Sequence, residues 1–143
     1  LDFFKFNSDY VVLANFKRTP NEKAFEMKTT TSRRPIYVKY GELTFALKGE
    51  SYKLNIYQNQ GLIEKEGYEN YLFLPFLDET NGLESYGGGR YIDARIPEGE
   101  AMEIDFNKAY NPYCEYNSTY SCPLPPGENY LNVEIPVGEK LYK

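Results

Sequence analysis

From Ile36 to Tyr57 the apolar side chains fall on every second position. Ile36, Val38 and Tyr40 form one run, Leu43, Phe45 and Leu47 a second after Gly41, and Tyr52, Leu54 and Ile56 a third, alternating with Lys53, Asn55 and Tyr57. A period of two puts such residues on one face of a pleated strand, whereas a helix would scatter them around its axis. The turn Lys48-Gly49-Glu50-Ser51 predicts a hairpin, and Gly41 in mid-run predicts a bulge or sharp bend. The same signature recurs along the chain. Tyr10–Lys17 is dense in β-branched and aromatic residues, Ala24–Thr31 alternates around Phe25 and Met27, Ala101–Asn107 around Met102, Ile104 and Phe106, and Tyr130–Ile135 around Leu131, Val133 and Ile135. Tyr71–Leu77 is almost continuously apolar, as expected of a strand covered on both faces, and Pro75 within it denies the ladder one donor. A strand is also expected over Arg90–Ile96, and no regular structure over 58–68. No stretch carries sustained helical periodicity. Seven to nine short strands in 143 residues predict one all-β domain over 1–143, a small antiparallel barrel or sandwich-like barrel.

The segment Asp105–Asn129, DFNKAYNPYCEYNSTYSCPLPPGEN, breaks this pattern. It holds both cysteines, Pro112, Pro123, Pro125 and Pro126, and the tyrosines Tyr110, Tyr113, Tyr116 and Tyr120. Turn formers at that density exclude a helix, so the segment is expected to be a Pro/Tyr/Cys-rich loop covering one end of the barrel, its tyrosines a candidate aromatic wall. Cys114 and Cys122 either close a disulfide, as in an exported protein, or stay free and buried, as in a cytosolic one. Two cysteines without histidine are too few for a zinc site, and their spacing is not that of a redox pair.

Histidine is absent altogether, which excludes serine or cysteine catalysis through imidazole and leaves any acid–base work to carboxylates, Tyr, Lys or Cys. Sixteen Lys and Arg against 21 Asp and Glu give a net charge of −5, which argues against a nucleic-acid partner. No apolar run approaches the roughly 20 residues of a membrane-spanning helix. No cofactor or metal is expected.

The second polar cluster, Asp78–Asp93 (DETNGLESYGGGRYID), lies just upstream. Its glycines precede a strand-like YIDARI rather than a helix, so a tight connection is the better reading than a phosphate cradle. Arg90, between aromatic residues and near Asp78, Asp93 and Asp105, is either a strut paired with a carboxylate or an anchor for an anionic group on a ligand. Asp105 and Asn107 alternate with apolar residues and face either solvent or a barrel interior.

The segments PFLDETNG, ESYGGGRYID, DFNKAYNPYC and CPLPPGEN, in this order, resemble the family of proteins of unknown function DUF1684, most strongly over Tyr71–Glu139, within a signature region at 70–139. The resemblance implies no activity. It implies signature residues at Asp78, Thr80, Gly82, Tyr86, Gly89, Arg90, Asp105, Asn107, Pro112, Cys114, Cys122, Pro123, Pro125, Pro126 and Asn129, and a bacterial or archaeal protein, in some members exported or lipid-anchored. Tyr113 departs from the second proline many members carry there. The chain opens at Leu1 rather than Met, as a processed or truncated product would, and a cell-envelope or extracytoplasmic location is expected, with the cytoplasm as the alternative. The leading expectation is a small-ligand-binding module that offers Asp78, Thr80, Tyr86, Arg90, Asp105, Asn107 and Tyr110 to a small anionic or polar ligand. The rivals are a histidine-free enzyme with Asp78 or Asp105 as base and Arg90 as clamp, and a structural lock without ligand.

Overall fold

The structure, a computed structural model, describes residues 2–117 and 119–141. Seven strands are present: β1 (Val11–Arg18), β2 (Phe25–Glu26), β3 (Ile36–Leu47), β4 (Glu50–Asn59), β5 (Tyr71–Phe76), β6 (Arg90–Arg95) and β7 (Ala101–Asp105). They pair antiparallel in the order β6-β5-β4-β3-β1-β7, with β2 attached beside β3. The sheet curls into a half-barrel. Its other regular elements are single turns of 3-10 helix, and no described helix is long and apolar enough to cross a membrane.

The β3–β4 hairpin organises the sheet. Its turn is tighter than the four residues expected, because Glu50 and Ser51 already pair with Leu47 and Ala46. Lys48 and Gly49 alone make the reversal, at φ of 50° and 81°, the left-handed pair that matches the twist of the flanking strands. The ladder slips between Lys39 and Gly41, so the bulge expected at Gly41 is there. A Cβ on Gly41 would stand 2.7 Å from the carbonyl oxygen of Lys17, so only glycine lets β1 and β3 approach at that bend.

Alternation fills two cores. Leu43, Phe45, Leu47, Leu54, Ile56, Leu72, Leu74, Phe76, Ile104 and Phe106 pack on one face, sealed by Leu131, Ile135 and Val137 from the C-terminal segment. Met27, Tyr37, Tyr57, Phe73 and Tyr91 form a smaller aromatic cluster on the other face. β5 supplies both, which is why its sequence lost the alternation.

Two expected strands are not formed as such. Of Ala24–Thr31 only Phe25–Glu26 is a strand; beyond it Thr30 N–H donates to the Cys122 carbonyl and Leu124 N–H to that of Lys28, an irregular pairing in which Pro123 has no N–H to offer. Tyr130–Ile135 keeps Leu131 and Ile135 buried but joins the sheet through a single parallel bridge of Tyr130 to Leu77; Leu131 N–H donates to the Leu77 carbonyl and Glu79 N–H to that of Val133, and at Ile135 the backbone is held by side chains.

One such side chain repairs the ladder at Pro75. The pairing of Tyr57 with Phe73 sets Asn55 opposite Pro75, where the missing proline N–H interrupts β4–β5. Fully buried Asn129 fills the gap. Its Oδ1 accepts from Asn55 N–H (2.9 Å), and its Nδ2 donates to the carbonyls of Asn55 (2.8 Å) and Pro75 (2.7 Å). Asn129→Ala strands these groups, each at a cost of about 1 kcal/mol or more, so a loss of roughly 3 kcal/mol is expected in urea denaturation. A change under about 1 kcal/mol would show that the bridge is dispensable.

Candidate functional site

Arg90 opens β6 with its side chain wholly buried. Nη2 meets Asp78 Oδ1 at 3.2 Å and donates to the Ile135 carbonyl at 2.8 Å, while Nη1 donates to the carbonyls of Val137 and, at 3.2 Å, Glu139. The guanidinium lies 5.4 Å from the Phe76 ring centre. Burial lowers its pKa, and the Asp78 carboxylate opposes that shift. Asp78 is equally occupied. Oδ2 accepts from Thr80 Oγ1 (2.7 Å), Thr80 N–H (3.2 Å) and Ile135 N–H (2.8 Å), and Oδ1 also accepts from Asn81 Nδ2 (3.1 Å). Thr80 bonds on to Ser85, and both are buried. The pair thus ties the C-terminal segment to the sheet with nearly every polar atom matched; Arg90 Nε alone finds no partner among the described residues.

The structure brings Asp78, Thr80 and Arg90 together and sets the other expected site residues apart from them. Tyr86 lays its ring over Gly88, where a Cβ would stand 2.5 Å from the ring edge. Gly89, at φ +90°, would put a Cβ 2.7 Å from the Phe76 carbonyl and 2.9 Å from Pro125, so the glycine run is a close connection. Asp105 caps the turn Phe106–Lys108, accepting from the N–H and Nδ2 of Asn107 at 2.9 Å each. Asn107 in turn exchanges hydrogen bonds with the backbone of Asn7. These two residues fasten the N-terminal segment.

Tyr110 stands in a different setting. Its backbone bridges to Tyr91, whose hydroxyl donates to the Pro123 carbonyl. The glycine-arginine turn and the two-cysteine coil therefore meet at β6. Between the coil and the aromatic face of the sheet opens a cleft of about 240 Å³. Its floor is the aromatic cluster: Tyr37 and Phe73 at 5.8 Å between ring centres, Phe73 and Tyr91 edge to face at 4.7 Å, and Tyr91 and Tyr110 edge to face at 5.8 Å. One wall comes from both ends of the coil, Pro112 and Tyr113 with Ser121 to Pro123, joined by the Cys114–Cys122 disulfide at a Cα separation of 6.2 Å. Tyr113, 71% exposed, forms the lip.

Two polar features accompany this cleft, an exposed carboxylate behind two of its lining tyrosines and a buried amide on its wall. The hydroxyls of Tyr71 (2.6 Å) and Tyr110 (2.7 Å) both donate to Asp93 Oδ1. Burial first, then the bond to the Asp93 carboxylate, raises the pKa of each phenol, and burial raises those of Tyr37 and Tyr91. Asn111 lies buried on the wall. Its N–H donates to Glu139 Oε1 (2.9 Å) and its Nδ2 to the Lys140 carbonyl (2.9 Å), yet its Oδ1 has no donor among the described residues.

Tyr110 was expected at a site from sequence, and Tyr113 in an aromatic wall. Tyr37, Tyr71, Phe73, Tyr91 and Asn111 were not. The available signal was the second face of the strands: Tyr71 and Phe73, like Tyr91 and Asp93, alternate against core residues. Which of those faces would be roofed by the coil is a long-range fact.

A family model described as protein of unknown function (DUF1684) matches residues 1–140. Among solved structures, the solution NMR structure of the uncharacterized protein from gene locus rrnAC0354 of Haloarcula marismortui is similar, with 34% identity, a TM-score of 0.77, and coverage of 98% of this chain and 75% of that chain. No curated protein matches.

Proposed function

Because the chain belongs to the DUF1684 family of proteins of unknown function, its role has to be read from its geometry, and we propose that it is a small-ligand-binding module whose site is the aromatic cleft. The observation that carries this is the pairing of a pre-formed aromatic floor with a buried acceptor, Asn111 Oδ1, that the described protein leaves without a donor. Concave apolar surface with a few oriented polar groups is the usual composition of a ligand site. Arg90 and Asp78 are the lock of this fold. Their hydrogen-bonding positions, Arg90 Nε apart, are taken up by Ile135, Val137, Glu139, Thr80 and Asn81, which argues against Arg90 as a ligand anchor and Asp78 as a base. Asp105 is likewise a cap. The disulfide supports an extracytoplasmic location, where such bonds persist.

Screening a small-molecule library by amide chemical-shift perturbation is expected to give hits whose shifts centre on Tyr71, Phe73, Tyr91, Tyr110, Asn111 and Cys122. Tyr110→Ala is expected to weaken those hits by about tenfold, the worth of one lost aromatic contact. Hits that shift instead the backbone around Arg90 and Ile135, or that are indifferent to Tyr110→Ala, would place the site elsewhere.

A further inference from the structure

The cleft reading leaves the ligand's chemistry open, and four features of the lining narrow it. The first is charge. Among the described residues no Lys or Arg lines the cleft, in a chain of net charge −5. An anionic ligand would enter without a counter-charge, which burial penalises. Lys65 lies on a neighbouring cleft beyond Leu62, and Arg33 lines both that cleft and a pocket that adjoins this one at Tyr37, Ser121 and Pro123, without itself entering the lining.

The second feature is the rings. Tyr37, Tyr71, Phe73, Tyr91, Tyr110 and Tyr113 present aromatic surface from several directions. The face of each ring carries the negative lobe of its quadrupole and attracts a cation. The third is Asp93. Phenols that donate to a carboxylate become more electron-rich, and two of the lining tyrosines donate to this one. Both bonds fall on Oδ1, so the carboxylate is held in orientation while no described residue donates a hydrogen bond to Oδ2. Its negative charge adds to the attraction of the rings.

The fourth is Asn111. Its amide cannot be turned round, because Nδ2 donates to the Lys140 carbonyl and an oxygen in that place would face another oxygen. The unpartnered atom of this wall residue is therefore Oδ1, which is buried just behind the cleft surface. A bound molecule that satisfies it brings an N–H or O–H. Rings and carboxylate together select the charged nitrogen over the neutral hydroxyl.

We propose that the cleft takes an organic cation with N–H donors, an alkylammonium or guanidinium group on a small apolar body, between the tyrosine rings and the acceptors Asp93 and Asn111. This rests on the cleft being the ligand site, and the test separates the two claims.

Phenethylammonium, phenethyl alcohol, 3-phenylpropanoate and phenethyltrimethylammonium share one apolar body and differ in charge and donors. Titrated into the intact disulfide-bonded chain at low salt and near-neutral pH, and followed by calorimetry and amide shifts, phenethylammonium is expected to bind about tenfold or more tighter than each of the others. Its shifts are expected at Tyr71, Tyr91, Tyr110 and Asn111. Asp93→Asn keeps an acceptor for both phenols and is expected to lower ammonium affinity about tenfold more than alcohol affinity. Alcohol or propanoate binding in the cleft as tightly as the ammonium overturns the charge class and leaves the cleft as the site. Equal binding of the trimethylated cation overturns the N–H requirement. If none of the four shifts cleft resonances of the folded protein, both claims fall.

Discussion

Asp78→Ala is expected to lower the stability of the fold by about 4 kcal/mol, the usual effect of leaving a buried cation without its partner. Arg90 is wholly buried and cannot reach water to recover hydration, and Asp78 is its single anionic contact within salt-bridge distance among the described residues. The same change orphans Ile135 N–H and Thr80 N–H and leaves the Thr80 hydroxyl only Ser85, so the C-terminal segment loses one of its ties to the sheet. Arg90→Met is expected to cost a similar amount, because it leaves the carboxylate buried and frees the carbonyls of Ile135, Val137 and Glu139. The double variant Asp78→Ala with Arg90→Met should be less damaging than the sum of the single losses, by about 2 kcal/mol or more, since the charges depart together. Guanidinium denaturation of the four proteins measures the cycle. Additive losses, or an Asp78→Ala variant within about 1 kcal/mol of the parent, would show that the pair does not lock the fold. Where a single variant fails to accumulate folded, the double variant and the parent still report whether charge or shape was needed.

Alkaline pH is expected to unfold the protein with unusual steepness. Tyr37, Tyr57 and Tyr91 are 5%, 1% and 6% exposed, and burial raises the pKa of each above the ordinary phenol value of 10.0. In the unfolded chain these phenols lose their protons near pH 10, whereas in the fold they keep them. Above that pH the unfolded state therefore binds fewer protons than the native state, and stability falls as pH rises. The contribution is fully present below about pH 10 and drains away as pH climbs toward the folded-state values. Each phenol withdraws about 1.4 kcal/mol per pH unit in that window, so the three together withdraw about 4 kcal/mol. Tyr71 and Tyr110, raised by burial and by Asp93, steepen the fall further. Urea denaturation at about pH 9, 10 and 11, with tyrosinate absorbance followed in parallel, measures the slope. A flat profile, or tyrosinate forming near pH 10 before unfolding from all 15 tyrosines rather than from the exposed ones alone, would mean that the aromatic cluster is open to water.

The two predictions concern different layers of what could be read from residues alone. Alternation in Ile36–Leu47 and Tyr52–Ile56 carried the all-β class, and the glycine at 41 carried the bulge, because both follow from the pleat and from local sterics. The continuous apolar run of β5 announced a strand covered on both faces. Arg90 was legible as a strut or an anchor but not as one of the two, since its partners Val137 and Glu139 lie 47 and 49 residues away. Alternation also misjudged Tyr130–Ile135. Its apolar face was real, but its backbone meets only Leu77 and Glu79 before the side chains of Asp78 and Arg90 take over at Ile135.

The site was less visible than the scaffold. Tyr110 was expected at a site, whereas the floor of the cleft comes from the second face of β3, β5 and β6, where aromatic residues look in sequence like ordinary strand formers. Periodicity and composition settle which residues share a face, because they depend on geometry within a few residues of chain. Whether such a face meets water, a second core or a proline-rich coil depends on contacts between residues far apart in the chain. Those contacts follow from how buried polar groups such as Asn129, Asp78 and Arg90 find their partners, which no local pattern encodes.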